Sequence, residues 1–521
     1  MEVLSVKDLK FSYYLNETDT FHALQDITFS VEQGEMVLFC GLCGCGKTTL
    51  LKLLKEEIRP DGKMEGEIEN RYGSMQTGYL FQNPEQQIVC RTVEEELVFG
   101  AENMGMPRDE MARSAAELAA YLGIEKMLHE STQSLSGGQK QILNLASLLM
   151  MKPKILLLDE PVSQLDPVCT WEFMNLLKKV REDFGLTILV AEHNLDLFLP
   201  EADKVIYMEN GRIHYQGKKD LFIRKMFQEE KKFVESLPET VKLYHEAGGT
   251  GEWPFTAATL IKALNQEQRK ALFPEDFEQE ERRGGQEGQE VILIRGGYFR
   301  YEKNGRDILR DLDLSLYSGR IYGLIGGNGA GKSTLLSVLL GYRRFYRGKY
   351  RANPGMALLP QNPAYAFLKD TLMDDCRMIA SVERIEELLN EDVFFSDVRQ
   401  WLSKNPLDLS GGQMQKAAVF KILLKDPDIL LLDEPVKALD GYEKEVFLQL
   451  LKRMKEKGKM ILVVSHDLEF LQRVADECLF LYDGKISAQE ACGRMFVNNR
   501  FYTTVKGKIK GMLQDESFIT N

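Results

Sequence analysis

Gly41-Leu42-Cys43-Gly44-Cys45-Gly46-Lys47-Thr48 decides the fold, because the stretch returns as Gly326-Gly327-Asn328-Gly329-Ala330-Gly331-Lys332-Ser333. Both fit G-x-x-x-x-G-K-[ST], the pattern of a phosphate-binding loop. An apolar run precedes each loop (35–40 and 320–325), and a helix-like run follows each (49–55 and 334–340). That strand–loop–helix setting is what phosphate binding needs. The glycines turn backbone N–H groups onto the phosphates, and the helix N-terminus adds partial positive charge. Lys47 and Lys332 are placed to reach the β- and γ-phosphates, and Thr48 and Ser333 to hold Mg²⁺. Gly41, Gly44, Gly46 and Thr49 complete one candidate phosphate-binding set; Gly326, Gly329, Gly331 and Thr334 complete the other.

Downstream of each loop the same landmarks recur in the same order. A glutamine (Gln82, Gln361) follows a short strand candidate. Leu135-Ser136-Gly137-Gly138-Gln139 and Leu409-Ser410-Gly411-Gly412-Gln413 open helical runs. Ile155 to Leu158 and Ile429 to Leu432 are apolar strands ending in Asp159-Glu160-Pro161 and Asp433-Glu434-Pro435, and later strands end at Glu192-His193 and Ser465-His466. Asn210-Gly211 and Asp483-Gly484 are hairpin signals near the end of each copy. The lysines lie 285 residues apart, the glutamates 274 and the histidines 273, so the chain is a tandem duplication. Strands alternating with helices predict two α/β domains, each with a mainly parallel core sheet, an N-terminal antiparallel β part and a helical subdomain. The expected boundaries are 1–225 for the first domain, 226–290 for a helical extension and flexible linker, 291–500 for the second domain and 501–521 for a tail without a readable motif. Residues 221–244 and 256–272 look helical, and 275–290 is acidic and rich in Gln and Gly.

Bulk properties bound the function. At 521 residues the chain exceeds one ordinary core, and 44% hydrophobic with 28% charged residues describes a globular protein. A net charge of −13 argues against a broad nucleic-acid footprint. Eight cysteines without a pairing pattern suggest reduced thiols. No apolar run approaches the roughly 18–20 residues of a spanning helix, so any membrane role needs another chain to cross.

With these landmarks in view, the chain resembles a pair of ABC-type ATPase domains fused in one polypeptide. The LSGGQ signature stands unaltered in both halves, its serine 24 residues ahead of the Asp-Glu glutamate each time. The resemblance implies that Ser136, Gly137, Gly138 and Gln139 face the nucleotide held by Lys332, and Ser410, Gly411, Gly412 and Gln413 the one held by Lys47. The two ATPase domains would then pair within one chain around two ATP. It also implies that Asp159 and Asp433 bind Mg²⁺, that Glu160 and Glu434 act as general bases on the attacking water, and that His193 and His466 are the switch histidines. Gln82 and Gln361 match the Q-loop glutamine that contacts Mg²⁺ or the water. Tyr13 and Tyr301 match the aromatic that stacks on adenine, with a core aromatic as the bland alternative. Two departures stand out. Ile142 and Lys416 replace the usual arginine three residues after the signature glutamine, and Cys43 and Cys45 enter the first loop.

Phe81-Gln82-Asn83-Pro84-Glu85-Gln86-Gln87, followed by Thr92-Val93-Glu94-Glu95-Glu96-Leu97-Val98-Phe99-Gly100, is similar to the Q-loop region of energy-coupling-factor and cobalt-type importer ATPases. That resemblance implies a vitamin or metal-ion importer. Its partners would be a transmembrane coupling protein and a small substrate-binding membrane protein, at the cytoplasmic face of the membrane and with no nucleic acid. The second half keeps only Pro360-Gln361-Asn362-Pro363 of this pattern. A soluble tandem ATPase acting on ribosomes or nucleic acid is the rival, and an exporter ATPase a third alternative. The ribosomal relatives carry Asp-Glu-Pro-Thr-Asn-His-Leu-Asp where this chain has Asp159-Glu160-Pro161-Val162-Ser163-Gln164-Leu165-Asp166.

Overall fold

A computed structural model describes residues 1–14, 20–229, 231–273 and 288–514. The chain divides into two units, Met1–Pro238 and Glu239–Asn521. Both are α/β, as the sequence predicts.

The first unit is built on a six-stranded sheet. Its order is Thr77–Leu80, Ile155–Asp159, Thr187–Ala191, Met36–Cys40, Lys204–Glu209, Arg212–Gly217. All pairings are parallel except the last. Every residue of Met36–Cys40, Ile155–Asp159 and Thr187–Ala191 is buried. Strands covered on both faces read as continuous apolar runs, which is why these were legible. The antiparallel partner forms across Asn210-Gly211, whose φ values of 48° and 74° are those a two-residue hairpin turn requires. A separate antiparallel layer places Glu2–Tyr14 between Thr20–Glu32 and Gly62–Asn70. Helices Val93–Asn103, Arg108–Leu122 and Gly137–Met150 form the helical part.

The second unit repeats the plan. Its core order is Met356–Leu359, Ile429–Asp433, Met460–Val464, Ile321–Ile325, Glu477–Tyr482, Lys485–Ala491, and Glu290–Phe299 lies between Leu309–Tyr317 and Arg347–Ala352 in the antiparallel layer. This unit also takes in the helices 239–246, 257–263 and 266–272. The helical stretch expected over 256–272 is broken at Leu264-Asn265, where the Asn265 side chain accepts from Gln268 N at 2.8 Å and caps a new helix. The C-terminal stretch forms a helix, Val505–Gln514, whose Ile509 is fully buried among Leu243, Tyr244, Leu260, Ile261 and Leu264. Most of the acidic stretch 275–290 lies outside the described residues.

The expectation of eight reduced thiols is corrected here, since Cys478 and Cys492 form a disulfide. Cys478 lies on strand Glu477–Tyr482 opposite Glu490, and Cys492 opens helix Cys492–Asn498 directly after the last strand, where the chain returns to bring the two sulfurs together. The other six cysteines are free. Among the described residues no helix is long and apolar enough to cross a membrane.

Candidate functional site

Each phosphate loop joins a buried core strand to a helix that starts at the loop lysine, Lys47–Leu53 in the first unit and Lys332–Leu339 in the second. The loop path needs glycine. Gly41 has φ +151° and a Cβ there would lie 2.1 Å from Met208 O; at Gly326, φ +155°, it would lie 2.3 Å from Leu481 O. The lysines curl back over their own loops. Lys47 Nζ donates to Gly41 O (2.8 Å) and Leu42 O (3.2 Å), and Lys332 Nζ to Gly326 O (2.8 Å) and Gly327 O (3.0 Å). Both are buried. An ammonium held over a ring of backbone groups is a ready cradle for a polyphosphate.

The next residue of each loop meets the end of the strand carrying Asp-Glu. Thr48 Oγ1 donates to Asp159 Oδ1 at 2.9 Å, and Ser333 Oγ to Asp433 Oδ2 at 3.1 Å. Hydroxyl and carboxylate oxygens side by side are the hard donors that suit Mg²⁺. In the first unit Tyr79 OH also donates to Asp159 Oδ2, at 3.0 Å. Strand register puts Leu358 at that place in the second unit, so its aspartate lacks this support. Burial, with the charge of Glu160, pushes the Asp159 carboxyl up to about 6.

The glutamates sit on strained backbone. Glu160 has φ 44° and Glu434 φ 51°, left-handed values that are uncommon for a residue with a Cβ. Their N–H groups donate to Ala191 O (3.0 Å) and Val464 O (2.9 Å), which fixes the turn. Glu160 accepts from Gln82 Nε2 at 2.5 Å and lies 3.4 Å from His193 Nδ1. So the structure brings Gln82, Glu160 and His193 together, three residues that the sequence links only by motif order. Burial works to raise the Glu160 pKa, but His193, Lys47 and Gln82 outweigh it and hold the group below the usual range. The second unit differs. Gln361 is exposed. Glu434 accepts from Ser465 Oγ (3.4 Å) and His466 N (3.3 Å), with His466 Nε2 at 3.6 Å. Burial and the Asp433 charge push Glu434 up to about 7.

Tyr13 and Tyr301 occupy matching places. Their hydroxyls lie 3.0 Å from Thr49 Oγ1 and Thr334 Oγ1, and their rings meet Phe11 and Phe299 edge-on. Tyr301 is 57% exposed, whereas Tyr13 is partly buried and packs against the core of its unit, so the core-aromatic alternative stays open there. Ser136 and Ser410 cap helices 137–150 and 411–423 through reciprocal bonds with Gln139 and Gln413. Gly137 and Gly411 are the first residues of those helices. Gly138 is buried, and a Cβ there would lie 2.6 Å from Cys169 Sγ. At the two departures from the family pattern, Lys416 pairs with Glu443 at 2.7 Å, while Ile142 is partly buried.

Phosphate cradles, paired hard oxygens and buried carboxylates beside histidines recur in both units, and the comparisons fit that chemistry. The family model described as ABC transporter matches residues 24–163 and 309–437. The chain belongs to the ABC transporter family. It is an ATPase of that family with two tandem domains, and such domains bind ATP. A Bacillus anthracis protein, provisionally named an ABC transporter ATP-binding protein, is 38% identical over 96% of this chain and 94% of its own length. A Bacillus subtilis protein, provisionally named an HMP/thiamine import ATP-binding protein, is 29% identical over 95% of this chain and 92% of its own. The archaeal ribosome recycling factor solved with a ribosomal stalk protein shares the fold at a TM-score of 0.61 and 20% identity, covering 98% of both chains. CbiO1 of Clostridium perfringens, part of an ABC transporter complex, is 32% identical over 44% of this chain and 96% of its own, with a TM-score of 0.38.

Four side chains of this ABC ATPase escaped the sequence reading: Tyr79, Glu192, Glu96 and Asp375. Glu192 is a buried carboxylate 3.7 Å from His193 Nδ1 that accepts from His193 N and Asn194 N, and burial pushes it up to about 7. Glu96 accepts from Val89 N and Cys90 N, and Asp375 from Leu368 N and Lys369 N, closing the loops that follow the two glutamine segments. In the sequence, Tyr79 stands three residues before Gln82, Glu192 directly before His193, and Glu96 inside the Thr92–Gly100 pattern, but nothing there marks their partners.

Proposed function

We propose that this ABC ATPase powers a membrane importer of the energy-coupling-factor type, taking up a vitamin or a metal ion. Its partners are a transmembrane coupling protein and a small substrate-binding membrane protein, and it works from the cytoplasmic face of the membrane. The observation that carries the reading is the segment from Phe81 to Gly100, with Phe-Gln-Asn-Pro, then Gln87, then Thr92-Val93 and Phe99-Gly100. Its build supports a docking role. Asn83 caps the turn at Glu85 N (3.1 Å), and Asn144 holds Pro84 O (3.0 Å). Thr92 and Glu95 form a capping box at the start of helix 93–103. The import name carried by the Bacillus subtilis relative points the same way.

In this proposal Lys47 and Lys332 hold the β- and γ-phosphates, and Tyr13 and Tyr301 the adenines. Thr48 with Asp159, and Ser333 with Asp433, would hold Mg²⁺, with Gln82 and Gln361 at its edge; bound there, Mg²⁺ neutralises charge on the phosphate oxygens. Glu160 and Glu434 orient and polarise the attacking water, and His193 and His466 hold those carboxylates in place. The work is positioning and charge stabilisation, with no covalent intermediate. The two signature helices supply N-terminal N–H groups to the γ-phosphate of the partner half, so closure of the halves on two ATP is the power stroke.

The test is a pull-down of the tagged full chain from a detergent extract of its own cells, read by mass spectrometry. Recovery of a multi-span coupling protein with a small membrane-embedded binding protein supports the importer. Recovery of ribosomes, or of no membrane protein, overturns it and leaves the ATPase assignment standing.

A further inference from the structure

The two antiparallel layers share one register and carry opposite charge. In the first unit Ser5 pairs with Glu69, Lys7 with Glu67 and Lys10 with Glu65, with a register shift between the last two pairs. In the second, Leu293 pairs with Arg351, Arg295 with Lys349 and Tyr298 with Arg347, with the shift at the same step. Three exposed glutamates on an edge strand are thus replaced, position for position, by three exposed cations. Alternate residues of a strand share a face, so Glu67 with Glu69, and Lys349 with Arg351, lie on one face of their strands, while Glu65 and Arg347 stand across the register shift. The fold accepts either sign, and the basic set is no requirement of packing.

Compensation differs too. In the first unit Lys7 pairs with Glu69 at 3.1 Å, Lys63 with Glu65 at 2.8 Å and Lys10 with Asp26 at 3.1 Å, so the face neutralises itself. Among the described residues, Arg347, Lys349 and Arg351 have no carboxylate partner. Arg343 and Arg344, just before them in the chain, are exposed and likewise lack a carboxylate partner, with Arg343 standing 5.3 Å from the Tyr301 ring centroid. Five uncompensated cations within nine residues stand out in a chain of net charge −13. Tyrosines are interleaved with them: Tyr342 is 75% exposed and Tyr346 50%.

We propose that this face docks on an anionic lipid surface, with Arg347, Lys349 and Arg351 on the headgroup phosphates and the tyrosines at the interface. Uncompensated cations beside amphipathic aromatics are the chemistry of that boundary. Single-stranded nucleic acid fits less well, because arginines already stand over the rings that bases would stack on. Arg347 lies 5.1 Å from the Tyr298 centroid and Arg300 4.5 Å from that of Tyr346. A duplex fits less well too, since the trio lies on the edge strand of a three-stranded sheet, which is wider than the helix or two-stranded ribbon that a groove admits. The choice of a lipid partner rests on the importer reading above.

The test is co-sedimentation of the full chain with vesicles of phosphatidylcholine alone, and of phosphatidylcholine with phosphatidylglycerol, at low and high salt. The chain is expected to partition onto the anionic vesicles only, and less at high salt. The triple variant Arg347→Glu, Lys349→Glu, Arg351→Glu installs the residues that the first unit carries at these positions. It is expected to lose partitioning by on the order of a hundredfold or more, with lipid-free ATPase activity and melting temperature unchanged. The triple glutamine variant is expected to fall between the two. No binding to anionic vesicles, or equal binding by both variants and the parent chain, overturns the proposal. So does retention of single-stranded or duplex RNA that the same variants abolish. The vesicles hold no membrane protein, so a failure here beside a successful pull-down removes this face alone and spares the importer.

Discussion

Glu160 and Glu434 occupy the same place in two copies of one motif, yet their surroundings push them in opposite directions. Gln82 and His193 crowd Glu160 and keep it ionised. Glu434 lies beside a serine hydroxyl and a more distant imidazole, and burial pushes it up to about 7. A carboxyl whose folded pKa is raised binds more protons folded than unfolded. Its contribution to stability is therefore full at low pH and is lost as pH rises through the folded value. Glu192 and Glu434, both near 7, place that loss between the ordinary glutamate range and neutrality. The nucleotide-free, chelator-treated chain should melt lower as pH is raised from about 5 to about 8. Glu192→Gln and Glu434→Gln should each flatten that slope and raise stability above neutrality by on the order of 2–3 kcal/mol. Calorimetry of the three proteins across pH decides it, and unchanged slopes would show that these carboxyls are not held protonated. Lys47, Asp159, Glu160 and His193 were legible because each sits inside a spaced motif. Tyr79 and Glu192 were not, because what matters about them is a partner or a burial that only the folded sheet supplies.

At the scale of elements, one carboxylate in each unit ties the loop after the glutamine to the helix that follows. Glu96 does this through the N–H groups of Val89 and Cys90, and Ser147 on the neighbouring helix donates to Glu96 O at 3.1 Å. Asp375 does the same and also meets Lys421 Nζ at 2.7 Å, with both side chains buried. Breaking such a pair from one side leaves a buried charge uncompensated, so Asp375→Asn should cost about 3–5 kcal/mol. Lys421→Met in the same background should recover part of that. Denaturant titration of the single and double variants tests the pair, and simple additivity would contradict it. Helices, core strands and hairpin turns were legible from runs, capping residues and Asn-Gly or Asp-Gly. The break at Leu264-Asn265 was missed because the apolar period continues through it and only the Asn265 cap interrupts it. The Cys478–Cys492 pair was missed because the return of the chain from the last strand into helix Cys492–Asn498 sets it and spacing does not.

At the scale of the whole molecule, duplication was the plainest signal in the sequence, and the position of the tail the faintest. Val505, Ile509, Met512 and Leu513 fall at helical spacing, but Gly507 and Gly511 dilute the pattern. Packing on the helices of 239–263 is what orders this helix. Ile509→Ala should therefore destabilise the second unit by about 2–5 kcal/mol and leave the first unit's melting unchanged. Calorimetry that shows both units shifted together, or neither, would contradict that. Both units carry lysine, hydroxyl, aspartate, glutamate, histidine and an intact signature, so the account requires that both hydrolyse ATP and fire together. The direct measurement is steady-state ATP turnover of the full chain against Glu160→Gln and Glu434→Gln separately, each checked for folding and nucleotide binding. The account predicts that either substitution removes most of the turnover. A variant that binds ATP and keeps nearly full turnover would show its site to be regulatory, and the claim of two coupled hydrolytic sites would be wrong.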